Sequence, residues 1–334
     1  MLRFVLRRML QVVPTLLLLS LLVFVWLRAL PGGPASAFLG DRATPERIAE
    51  LNRILGLDQP IIVQYGRFLG RMFGADFGAS TITGEPVLAE IGRALPATVE
   101  LSVAALLIAV LLGIPLGYLA ASRRGRPFDV TTVIGTLVGV AVPVFFLGYL
   151  FKALFAVQLG WFPPSGRQTV GIDATDVTGF AVLDGLLTRE FDASWDAILH
   201  LVLPAVTLAT IPLAVIVRIT RASVLDVLGS DFVRTANAKG LAPATVRGRH
   251  VLRNALLPVS TTIGLQVGLL LAGAVLTEKM FVRGGIGTLL ADAITFKDYP
   301  RLQALLLLGA LVSVLVNLVV DLSYAIIDPR VRLT

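Results

Sequence analysis

Six stretches of this chain are long and apolar enough to cross a lipid bilayer, and that feature decides most of what the chain can fold into. They run Met9–Leu30, Ala97–Ala121, Val130–Leu159, Ala197–Val217, Ala255–Thr277 and Leu302–Val320. A helix needs about 20 residues to span ~30 Å of hydrocarbon. None of the six alternates apolar and polar residues as a barrel strand does, and in lipid a helix then pairs every backbone group. The chain is 56% hydrophobic and 15% charged, against about 45–50% and 25% in soluble domains. An all-α polytopic membrane protein with six transmembrane helices is therefore expected. There is no Cys, and only two His. Disulfide frameworks, iron–sulfur clusters, Cys-ligated zinc and thiol nucleophiles are excluded, and no His-rich metal centre is expected.

The first stretch has a rival reading. Arg3, Arg7 and Arg8 precede it and Ala35-Ser36-Ala37 resembles a signal-peptidase site. Met9–Leu27, however, is uncharged over 19 residues, longer than the about 7–15 of a signal-peptide core, so a retained helix is expected. Basic residues set the orientation. With the N-terminus inside, the segments 1–8, 122–129, 218–254 and 321–334 hold 15 Lys and Arg against 5 acids, and the outside segments hold 12 against 16. This favours N-in, C-in and makes the net charge of +7 a topology signal; no nucleic-acid partner is expected. Arg28, Glu100 and Lys152 fall toward the outer ends of their spans. They read either as side chains snorkelling to the interface or as a polar outer vestibule.

The segment 31–96 reads as an external helical cap. Thr44-Pro45-Glu46 begins one helix, with Thr44 as N-cap, Pro45 at its first position and Gly56 to stop it. Ile61–Phe73 forms a second, amphipathic one. The domain boundaries are thus 1–30 for the tail and first span, 31–96 for the cap and 97–334 for a core of five spans. The outer segment 160–196 is acidic, with Trp161, Phe162 and Trp195 as interface anchors. It faces either a partner or water.

The inner segment 218–254 is too long for a turn and too rich in Arg to enter lipid. Val224, Leu225, Val227, Leu228, Phe232 and Val233 have helical spacing, Gly240 breaks the pattern, and Pro243 begins a second short helix. The pattern makes a compact knob, or else a basic helix resting on anionic lipid. In the fifth span, Gly264 and Gly268 form a GxxxG step suited to close helix approach. Gln266 there and Asn317 in the sixth span are polar at mid-depth, so each needs an interhelical partner or a water-lined path.

No phosphate-binding G-x-x-x-x-G-K-[ST] loop, H-E-x-x-H or G-x-S-x-G motif occurs, so the chain reads as a conduit that hydrolyses no ATP itself and has no catalytic residues. Several segments then carry a family likeness. They are LPGGP (Leu30–Pro34), LGLDQP (Leu55–Pro60), Gln64-Tyr65, DFGAS (Asp76–Ser80), GIPLG (Gly113–Gly117) and IPLAVIVRITRAS (Ile211–Ser223). DFVRTANAKGL with HVLRNALLPV lies between Asp231 and Val259, and GLQVGLLLAG, DYP (Asp298–Pro300) and NLVVDLSYAIIDPR close the chain. With these residues the chain resembles the membrane permease subunits of ATP-binding-cassette (ABC) importers for dipeptides, oligopeptides and nickel, most of all the B-type subunit of dipeptide permeases.

The resemblance implies a type I ABC importer permease fold in the prokaryotic inner membrane. It implies a second homologous (C-type) permease subunit, one or two ABC ATPase subunits and an extracytoplasmic peptide-binding protein. Any ATP and Mg belong to the ATPases, and this chain holds no cofactor. By position, Arg234, Thr235, Ala236, Asn237, Lys239, Gly240 and Leu241 would form the ATPase-coupling helix and its turn. Asn237 stands where these permeases often carry Arg, Gly33 where Asp is usual and Gly284 where Pro is. The competing reading is an ATP-independent ion- or proton-coupled carrier, which has no reason to shape 218–254 as a docking knob.

Overall fold

The computed structural model describes the backbone at residues 2–29, 35, 36, 39 and 43–327, and the side chains there except at 2–9, 11, 12, 27, 55, 271–273, 317 and 319–327. The described residues are mostly helical, with no strand beyond one isolated bridge between Ala79 and Pro86. The protein is an all-α membrane protein. Among the described residues three helices are long and apolar enough to cross a membrane singly, and two bent helix pairs bring the number to as many as five. The first apolar stretch is represented by Val13–Trp26 within α1 (Leu2–Arg28). The chain divides into two compact units, Met1–Pro96 with Gly284–Leu318, and Ala97–Arg283 with Val319–Thr334.

In the first unit, α2 (Pro45–Leu55) starts where its capping pattern says. The Thr44 side chain accepts from the Arg47 N–H, and Gly56 closes the helix at φ 65°, a left-handed conformation that glycine takes without penalty. Next, α3 (Ile61–Phe73) packs on α1 through Phe24, whose ring centroid lies 5.0 Å from Tyr65 and 5.5 Å from Phe68. Gln64 uses both ends of its amide. Its oxygen accepts from Arg28 at 2.6 and 3.0 Å, and its nitrogen donates to the carbonyls of Leu57 and Gln59. Arg28 also lies 3.4 Å from the centroid of the Phe24 ring. It neither snorkels freely nor stands open; it ties α1 to the turn before α3.

The same unit holds a buried ionic knot. It sits where the first turns of α4 (Val87–Ser122) meet α11 (Ile286–Thr295) and α12 (Tyr299–Ile327) around Val87, Ile91, Ala293, Leu302 and Leu305. Arg301 donates to both Glu90 oxygens at 2.6 and 2.8 Å and to the Ser80 hydroxyl at 3.0 Å. Ser80 in turn donates to Asp298 at 2.5 Å. All four side chains are buried, which holds only because each charge finds its complement.

In the second unit every neighbour packs on α8 (Phe191–Leu228), a helix of 38 residues. The neighbours are α4, α5 (Pro127–Ala141), α6 (Val144–Phe151), α7 (Ala181–Leu187) and α10 (Arg253–Phe281). Leu101, Ala105 and Ala109 of α4, at four-residue spacing, meet Ala205, Leu208, Ala209 and Ile216 of α8, with Val259 and Ala274 of α10 closing the core. The closest approach is at Gly113 and Gly117. A Cβ on Gly113 would meet Ile216 at 2.8 Å, and one on Gly117 would meet the Val217 carbonyl at 2.6 Å. The third apolar stretch is not one straight helix. Pro143 and the extended Val142 interrupt it, and the axes of Pro127–Ala141 and Val144–Gln158 differ by 103°.

Two predictions follow from this packing. Gly117→Ala destabilises the purified protein by about 1–3 kcal/mol because the backbone of α8 has to give way. Gly135→Ala, whose Cβ meets nothing within 4 Å, leaves the melting temperature unchanged or higher. Arg301→Met, which strands Glu90 and Asp298, costs about 3–5 kcal/mol. The double variant Glu90→Gln/Arg301→Met recovers part of that loss in the same thermal melt.

Candidate functional site

The elbow between α8 and α10 is a folded element with its own core. α8 continues well past its apolar stretch and ends at Gly229. After it, α9 (Asp231–Ala238) turns back. Gly240 then reverses the chain at φ 70°, with its N–H donated to the Asn237 carbonyl at 3.0 Å. The chain resumes at Pro243 and passes through a π-helical stretch, Val246–Leu252, into α10. Val233 and Ala236 of α9 pack with Val246 and Val251, with Val224 of α8, Ala121 of α4 and Ala255 of α10. Five segments therefore share one small apolar cluster at the base of the elbow.

Burial sorts the residues that sequence reasoning grouped together. Arg234, Thr235, Asn237, Lys239, Gly240 and Leu241 are exposed, whereas Ala236 is only 5% exposed and faces inward. Phe232 is also on the outside, at 46%. The outward surface thus carries two apolar side chains, Phe232 and Leu241, among polar ones. Arg234 lies 3.4 Å from Asp231 with both side chains in solvent, a pair worth little to stability and free to exchange partners. A helix lying on lipid would turn its apolar stripe outward; α9 spends that stripe on the protein's own core.

The elbow is braced at its root. Arg221 of α8 donates to both oxygens of Asp129 at 2.6 and 2.9 Å, and the Gly125 N–H donates to the same carboxylate. A bidentate Arg–carboxylate pair fixes orientation as well as distance. It ties the turn before α5 to α8.

At the opposite end of the same helices lies a second charge cluster. Arg283 and Arg167 both reach Glu100, at 3.2 and 3.4 Å, and the Val182 N–H donates to it at 3.0 Å. Glu278 accepts from Thr98 at 2.5 Å and Lys152 donates to the Met280 carbonyl. Glu278 and Arg283 are 0% and 1% exposed. Arg283 is pushed down to about 10 by burial, with Glu100 pulling it back up, so it stays charged at neutral pH. Asp184 orders the loop that presents Val182. Burial pushes its carboxyl up, yet the Thr178 hydroxyl and the N–H groups of Thr178 and Gly179 hold it below the usual carboxylate value. Glu100 and Lys152 are thus anchored in a network.

Of the residues read as packing or pathway elements, Gln266 is 5% exposed and Gly264 and Gly268 are half-buried on α10. The side chain of Asn317 lies outside the described residues. The elbow residues lie together on α9 and its turn, while the α10 set lies on a separate helix. Sequence reasoning missed the GxxxG step at Gly113 and Gly117, although its spacing is the same as the one chosen on α10. It also missed Glu278 and Arg283, whose partners are more than 80 residues away.

Comparison with known proteins accords with this geometry. The family profile described as "Binding-protein-dependent transport system inner membrane component" matches residues 113–333, and the profile of the N-terminal part of such components matches 1–102. The chain is 46% identical over 333 residues to the di/tripeptide transport system permease protein DppB of Pseudomonas aeruginosa, covering 99% of each. It is 42% identical over 332 residues to the dipeptide transport system permease protein DppB of Alkalihalophilus pseudofirmus, covering 99% of this chain and 100% of the relative. It is 40% identical over 332 residues to the glutathione transport system permease protein GsiC of Salmonella paratyphi A, covering 99% of each. The chain belongs to the inner membrane components of binding-protein-dependent transport systems, as a multi-pass permease subunit of an ABC importer in which ATP is hydrolysed by partner subunits and not by this chain.

Proposed function

We propose that this subunit forms half of a translocation pathway for di- and oligopeptides and is driven through the elbow at residues 231–241. A homologous C-type permease supplies the other half, one or two ABC ATPases dock on the elbow and hold ATP and Mg, and an extracytoplasmic peptide-binding protein delivers cargo. Peptide cargo is supported by the relatives, which belong to dipeptide, di/tripeptide and glutathione transport systems. Six spans with both termini inside are supported by the asymmetry of basic residues.

The observation that carries the coupling role is the division of α9. Val233 and Ala236 bind it to α4, α8 and α10, while Phe232, Arg234, Thr235, Asn237, Lys239 and Leu241 are left outward. An interface needs a few apolar anchors inside a polar rim, and this surface supplies Phe232 and Leu241 with Arg234 and Lys239 beside them. A push on the knob reaches three helices at once, the kind of rigid-body input that switches a bundle between two packings.

Three outcomes test the reading. Gly240→Pro removes both the positive φ and the N–H bonded to Asn237. ATP-driven dipeptide uptake by the reconstituted complex then falls at least tenfold while ATP hydrolysis persists; uptake at the normal ratio to hydrolysis would refute the coupling role. Phe232→Ser weakens co-purification of the ATPases without lowering the melting temperature, whereas Val233→Ser lowers it. A reporter fused within residues 43–60 is extracytoplasmic; an active cytoplasmic reporter there would overturn the topology.

A further inference from the structure

The depth of the bilayer can be read off α8. The His200 carbonyl accepts from Arg283 at one end and Arg221 pairs with Asp129 at the other. At 1.5 Å per residue these points are about 31 Å apart, against ~30 Å of hydrocarbon. Thr210 lies midway between them. Gly139 reaches the same level by a separate route: it is about 15 Å along α5 from Asp129, and a Cβ on it would meet the Thr210 carbonyl at 3.9 Å. α5 ends two residues later. The 103° break therefore falls near mid-bilayer.

A break at that depth opens polar backbone. Pro143 has no N–H to give the Gly139 carbonyl. Val142 donates to Val138, and Phe146 and Leu147 both turn to the Pro143 carbonyl. Among the described residues no donor meets the carbonyl of Val142, the extended residue at the break. Val140, Ala141, Pro143 and Phe145 are exposed. Each unpaired backbone group facing hydrocarbon costs several kcal/mol, so lipid is the one neighbour this segment does not tolerate. Interrupted helices occur at this depth where they line a water-filled cavity or are covered by protein.

We propose that the break at Gly139–Phe145 lines the translocation pathway and hydrogen-bonds the backbone of the passing peptide. The inference rests on the peptide-pathway reading above. The Gly139 carbonyl, which Pro143 leaves without its helical donor, and the Val142 carbonyl complement amide N–H groups and a terminal ammonium. Both are main-chain groups, so contact here reads the cargo's backbone and ignores its side chains.

The chain has no Cys, so single-Cys variants carry no background on this subunit, whose labelling is read after separation from its partners. Ala141→Cys, Phe145→Cys and Leu107→Cys are each made in the full complex with both permeases, the ATPases and the binding protein, in liposomes. Leu107 is an exposed residue of α4, also far from either end of its span. Under a water-soluble maleimide, positions 141 and 145 are expected to label at least tenfold faster than 107, and to slow at least threefold with saturating dipeptide and ATP. Labelling no faster than at 107, while Val170→Cys in an exposed loop reacts, would overturn the proposal. Fast labelling without protection would overturn the peptide contact. Dipeptide uptake by the same vesicles is measured alongside. Uptake with slow labelling at 141 and 145 sinks this inference alone, and the absence of uptake sinks the cargo reading on which it rests.

Discussion

Hydrocarbon offers no water to a backbone N–H or C=O, and the second unit is organised around that constraint. At each end of α8 a departure from straight helix is answered by a side chain. Pro204 leaves the His200 carbonyl without its helical donor, and Arg283 supplies one from α10's end. That guanidinium is itself buried, so Glu100 neutralises it, and Arg167 and the Val182 N–H complete the carboxylate's shell. At the other end Arg221 and Asp129 do the same for the turn that leads into α5. The two clusters tie α8 to its neighbours at both ends.

The elbow takes its meaning from α8's continuity. No hinge separates the apolar part of this helix from the part that carries the knob; one helix of 38 residues covers both. The knob's core then includes Ala121 at the end of α4 and Ala255 at the start of α10. A partner that shifts α9 moves three helix ends together. Gly113 and Gly117 bring α4 and α8 close enough for that movement to pass directly between their backbones.

What was legible in the sequence was local. The Thr44 cap, the Gly56 stop, the Ile61–Phe73 face and the Gly240 break each rest on residues within a turn of one another, and each appears in the structure. The motif pieces at 55–60 and 64–65 prove to be one device, because Gln64 bonds back to Leu57 and Gln59. The ionic knots were illegible: Ser80 with Asp298 and Arg301 with Glu90 are separated by more than 200 residues, and no spacing rule joins them. Arg28, Glu100 and Lys152 looked like boundary charges for the same reason. Pro143 was a visible signal inside a run otherwise apolar enough to read as one span, and the length of that run hid the break.

The claim at the centre of this account is that the outward face of α9 and its turn is gripped by the ATPases. Hydrogen–deuterium exchange of the permease pair, with and without bound ATPase subunits, tests it most directly. The account predicts slowed exchange concentrated at residues 231–241 and unchanged exchange at 45–73. Equal exchange at 231–241 in both assemblies would contradict it.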